Sequence, residues 1–132
     1  MEEMDKKRMM FLVLYRMVMV DGIAHPKEME TLYRIGIKNY GLTEKEIDEE
    51  IKDAGVSSFI PELLEERVAV LYQMAIIAWA DDELEESERN LLRRYAAMYG
   101  VIDDNIDELV DYLLDKAKNK VNVKEVIKEL NK

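Results

Sequence analysis

The sequence predicts an all-α fold, a compact bundle of about seven helices built from two duplicated helical units with approximate twofold symmetry. Three observations carry that prediction. Residues 9–20 and 68–80 form two long apolar runs, each broken by a single polar residue, Arg16 and Gln73. A helix apolar on nearly all sides belongs in the middle of a bundle. Glycine and proline are scarce, five and two in 132 residues, while Glu, Lys, Leu, Met and Ala abound, a balance that favours helix over sheet. The third observation is self-similarity. Asp21-Gly22 and Glu28 recur as Asp81-Asp82 and Glu88 at an offset of 60. Tyr40-Gly41-Leu42 and Ile47-Asp48-Glu49 recur as Tyr99-Gly100-Val101 and Ile106-Asp107-Glu108 at an offset of 59.

The first run carries enough valine to suit a strand, but its length and its methionines favour a helix. A turn at Asp21-Gly22 follows, and Pro26 suits the first turn of the next helix, where its missing N–H would lack a partner in any case. That second helix sets Met29, Leu32, Tyr33, Gly36, Ile37 and Tyr40 along one face. Gly41 is placed as a left-handed cap, and Thr43 with Glu46 forms a capping box that opens a third helix over residues 44–53. Residues 55–61 (GVSSFIP) are the clearest break in the chain. The pattern then restarts: a buried helix, an acidic turn, an amphipathic helix, a stop at Gly100 and a further helix. A last helix over residues 123–130 follows Asn119 and Asn122, and its apolar face (Val123, Val126, Ile127, Leu130) closes the bundle. The chain reads as one domain, residues 1–132, with internal repeats over roughly 9–53 and 68–115. Two copies are too few for a solenoid, so the two central helices pack against each other.

Composition excludes several functions. Without cysteine there are no disulfides, thiolate metal sites or cysteine nucleophiles. The net charge of −10 repels phosphate backbones and anionic membranes, leaving cations and basic protein surfaces as partners. The N-terminal 22 residues superficially resemble a signal peptide, but acidic residues precede the basic ones, Arg16 interrupts the apolar run and no small-residue cleavage site follows. The run is also shorter than the ~20 residues a bilayer needs. The expectation is therefore a cytoplasmic protein without membrane insertion, monomeric or a weak homodimer, engaging protein partners. The lone His25 is read as an exposed helix-start residue. Ser57, Ser58 and Ser87 have no neighbouring base, and no glycine-rich phosphate loop occurs, so no enzyme is expected. Arg16 either snorkels to the surface, the favoured reading, or pairs with a carboxylate. Trp79 and Met9, Met10, Met17 and Met19 are assigned to the core.

The two acidic turns are the candidate site. Asp21-Gly22 with Glu28 has the spacing of the second half of an EF-hand loop, yet the earlier ligand positions hold Met17 and Met19 in one copy and Ile77 and Trp79 in the other. Neither copy is an EF-hand. Asp21 with Glu28, and Asp81 or Asp82 with Glu88, still offer an all-oxygen donor set suited to calcium, magnesium or manganese. Set against this, Glu28 and Glu88 stand at the third position of their helices, where a carboxylate satisfies free amides, and Asp21 and Asp81 stand where they tighten a turn.

The duplicated pattern, Val20-Asp21-Gly22 with Glu28 and Ala80-Asp81-Asp82 with Glu88, resembles the TerB-like family of tellurite-resistance proteins over roughly residues 9–114. The resemblance implies an all-helical bundle with an acidic face, formed here by Asp21, Glu28, Asp81 and Glu88. It implies divalent-metal binding and a part in membrane-associated stress-response assemblies. Asp82 in place of a second glycine, and His25-Pro26 in place of a small polar helix start, depart from the family pattern. The alternative expectation is a metal-independent protein-interaction adaptor that uses the same acidic face.

Overall fold

The computed structural model describes residues 3–52 and 59–130. Among them are seven helices and no strand: α1 (Glu3–Val18), α2 (Pro26–Tyr40), α3 (Glu44–Lys52), α4 (Leu64–Ala78), α5 (Glu86–Met98), α6 (Asp103–Lys118) and α7 (Val123–Leu130). The expected all-α architecture is observed. Both apolar runs begin earlier than their hydropathy indicates, at Glu3 and Leu64, because charged first turns are held by ion pairs across the bundle. Lys6 meets Glu66 at 2.6 Å, and Arg8 meets Glu46 at 2.6 Å and Glu50 at 3.2 Å. Asp53 and most of the predicted break, residues 53–58, lie outside the described residues.

α1 and α4 cross at the centre, and every other helix packs on one or both of them. Phe11, Val13, Leu14 and Met17 of α1 and Tyr72, Met74, Ala75 and Ile77 of α4 are fully buried. Each buried leucine-sized side chain contributes about 1.5–3 kcal/mol relative to exposure. Met10 is buried too, while Met19 and Trp79 pack against the core partly exposed. Gln73, the polar residue inside α4, is buried and accepts the hydroxyl hydrogen bond of Tyr40. Arg16 joins no carboxylate among the described residues; it donates to the Tyr95 hydroxyl at 3.4 Å with its guanidinium 6.0 Å from that ring's centre. α7 closes the bundle against α4 through Val126, which is fully buried.

The equivalence of the two halves extends to backbone detail. Both acidic turns close with the same hydrogen bond, Gly22 N–H to Met19 O and Asp82 N–H to Trp79 O, each 2.9 Å. Asp82 adopts the left-handed conformation of Gly22, with φ of 63° against 80°. Gly41 ends α2 at φ 66° as expected, and the Leu42 N–H reaches back to Gly36 O at 3.1 Å. Thr43 and Glu46 exchange both bonds of the capping box, at 3.1 and 3.0 Å.

The inward face of α2 differs from the expected one. Glu28, Thr31, Leu32, Ile35, Gly36 and Tyr40 are buried, while Ile37 is 49% exposed. α5 buries the equivalent set, Glu88, Leu91, Leu92, Tyr95 and Ala96. Both stripes therefore start on a glutamate. Gly36 occupies the place of Ala96 because Phe11 occupies the place of Leu71. A Cβ on Gly36 would lie 2.8 Å from both the Phe11 ring and the Ile47 side chain, which are themselves fully buried. Replacing Gly36 with Ala gains up to about 1 kcal/mol of helix propensity and incurs about 1–3 kcal/mol of overpacking. Gly36→Ala is thus expected to lower the melting temperature by a few degrees, and adding Phe11→Leu, which copies the second half, to recover it. A thermal melt in which Gly36→Ala alone raises the midpoint contradicts the close-packing account.

Candidate functional site

The two acidic turns and the helices they start bring Glu28 and Glu88 together. Each sits in the first turn of its helix, where partial positive charge on the free amides favours a carboxylate. Each is nonetheless only 2% exposed, and they are the two buried charged residues among the described ones. Their carboxyl groups are in side-chain contact with one another, close enough to share a proton. Glu88 Oε1 also accepts the Glu85 N–H at 2.9 Å, the capping role its spacing suggests. The His25 N–H donates no equivalent bond to Glu28, and His25 makes no side-chain cap of its own; Glu28 meets its counterpart instead.

Two carboxylates cannot both stay ionised in such a place. Burial is the main reason the Glu28 carboxyl is pushed up to about 9, reinforced by its bond to Glu88 and by the charges of Glu88, Asp81 and Asp21. Glu88 is also raised, mainly by burial, with the bonds from Glu28 and Glu85 acting the other way. The pair therefore holds a proton at neutral pH, as like-charged carboxylates in contact do elsewhere.

The other candidates surround this pair without joining it. Asp21 Oδ1 accepts the Ile23 N–H at 3.1 Å and Asp81 Oδ1 accepts the Glu83 N–H at 3.2 Å, so both tighten their turns. Both still raise Glu28 through their charge. Asp82 occupies the left-handed seat of its turn and is exposed. Among the described residues no group of three or more His, Asp or Glu side chains converges as a ready-made metal cage.

His25 is the participant that sequence reasoning set aside as a helix-start residue. Its Nε2 lies 2.9 Å from Asp21 Oδ2. The bond to Asp21 raises the imidazole and lowers the carboxyl, and the charges of Asp81 and Glu88 raise the imidazole further. The spacing of four residues between Asp21 and His25 was the available signal. For Glu28 and Glu88 the signal was a glutamate at the first position of an apolar stripe.

Compared with known protein families, with curated proteins and with solved structures, the chain gives no match.

Glu28 is ionised freely in the unfolded chain and reluctantly in the folded one, so unfolding releases a proton at any pH between the two values. Its contribution to stability is complete below about pH 4.5 and declines until about pH 9. The slope is at most about 1.4 kcal/mol per pH unit for one proton. The raised His25 acts in the same direction from about pH 6.5 upward. Urea unfolding at constant salt should show stability falling from pH 5 to 9 in the parent (~4 units) and much less in Glu28→Gln, which keeps a donor for Glu88 but cannot ionise. Identical slopes in the two proteins contradict the shared-proton assignment.

Proposed function

We propose that this chain is a non-catalytic TerB-like binding module that takes up a divalent cation at the Glu28–Glu88 pair, in exchange for the proton the pair otherwise shares. The observation that carries the reading is the burial of two carboxyl groups in hydrogen-bonding contact, one from each half of the duplication. Such a pair requires a compensating positive charge, and a proton or a cation supplies it. Two carboxylates make an all-oxygen donor set that suits a hard divalent ion, calcium, magnesium or manganese. Asp21 and Asp81 supply long-range attraction to the incoming ion from their places in the turns.

The TerB-like assignment rests on the same residues: Asp21-Gly22 with Glu28 and Asp81-Asp82 with Glu88, in turns of matching geometry. No helix among the described residues is long and apolar enough to cross a membrane. A cytoplasmic module working through protein partners in a stress response completes the proposal. No nucleophile with an adjacent base accompanies the pair, which supports a binding role over a catalytic one.

Exchange of a proton for a cation makes affinity depend on pH, rising up to about tenfold per unit while the pair remains protonated. Chelator-treated protein is expected to melt at a higher temperature with one of calcium, magnesium or manganese, more so at pH 8.5 than at pH 6. Calorimetry should register proton release on binding. Glu28→Gln/Glu88→Gln should abolish the shift, and Asp82→Gly, at a turn position already left-handed, should leave it intact. Equal small shifts for every ion in parent and double variant would reflect screening of the −10 charge alone and overturn the proposal.

A further inference from the structure

A second feature lies outside the carboxyl pair. A cavity of 580 Å³ opens between α2 and the C-terminal ends of α4 and α6. Its volume falls within the range of small-molecule sites. Ile76, Trp79 and Val121 give it an apolar wall, and Lys27, Arg34, Lys118 and Lys120 stand around it. Glu30 and Asp82 are its only acidic lining residues.

The charge balance is unexpected for a chain of net charge −10. Several cations elsewhere are taken up by carboxylates: Arg8 by Glu46, Arg89 by Asp111, Arg93 by Asp107, Lys116 by Glu129. None of the four cavity cations forms an ion pair among the described residues. Lys118 places its ammonium 5.4 Å from the centre of the Trp79 ring. Lys120 holds a left-handed position, φ 59°, where a helix stop favours glycine, and so brings a cation to the rim. A guanidinium and three ammonium groups around an indole face combine donors for an oxyanion with a stacking surface.

We infer that this cavity binds a small organic anion with a flat apolar body, an aryl phosphate or aryl carboxylate, its ring against Trp79 and its head among Arg34, Lys118 and Lys27. This site is independent of the carboxyl pair, whose residues do not line it. The long-range field of the chain opposes anions, so binding requires this local reversal of sign.

Trp79 is the only tryptophan, so its emission reports on the cavity directly. The full chain would be titrated with phenyl phosphate, and separately with inorganic phosphate and with phenol, while recording Trp79 fluorescence and thermal midpoint. Phenyl phosphate is expected to give saturable changes in both, with apparent affinity at least about tenfold above either half-ligand. Arg34→Ala/Lys118→Ala, which alters exposed side chains, should weaken phenyl phosphate by at least about tenfold. Lys45→Ala/Lys128→Ala, with the same charge change at exposed positions outside the cavity, should bind as the parent does. The inference is overturned if neither readout saturates, if both double variants weaken equally, or if inorganic phosphate binds as tightly as phenyl phosphate.

Discussion

Two helices in this chain are apolar around nearly their whole circumference, and a helix of that kind has no face to offer water. α1 and α4 therefore have to be covered from every side, which one helical unit cannot achieve. Each covers part of the other, and the amphipathic helices α2, α3, α5, α6 and α7 complete the shell. Duplication answers the constraint with a second copy of the unit already encoded. The only polar side chain buried within α4, Gln73, is tolerated because Tyr40 supplies its partner.

The duplicated covering helices carry a consequence for the interior. α2 and α5 both start their buried stripe on a glutamate in the first turn, where a lone helix would use it only as a cap. Packing the copies around the same central pair puts those glutamates in contact, away from water. Neutralisation then becomes unavoidable, and the shared proton follows from burial and like charge together. A binding role for the pair is a proposal built on that constraint: a site that must hold a positive charge is a site where one positive charge can replace another. Asp21 and Asp81, kept in their turns by backbone amides, add negative field without adding ligands.

Departures from symmetry are as informative as the repeat. Gly36 opposite Phe11, against Ala96 in the place facing Leu71, shows one half trading volume between two positions to keep the same packing. Asp82 in the seat of Gly22 keeps the turn at the expense of a less comfortable backbone. The cavity beside Trp79 is another departure: Arg34 recurs as Arg94, but Lys27 stands against Ser87 and Trp79 against Met19.

Local features were legible in the residues themselves. The seven helices, the Gly41 stop, the Thr43–Glu46 box and the paired acidic turns all depend on interactions spanning a few residues, which spacing reports directly. Helix starts were read too late for α1 and α4, since the charged first turns are stabilised by Glu46, Glu50 and Glu66, distant in sequence from one or both partners. The buried face of α2 was misjudged at Ile37 for a related reason. Hydropathy ranks Ile above Glu, but position on the helix relative to α1 and α4 decides what is covered. Sequence alone thus determined the elements and named Glu28 and Glu88 among several carboxylates. Only the tertiary structure decided that those two meet, because contact between residues sixty positions apart depends on how helices cross, and no local spacing encodes a crossing.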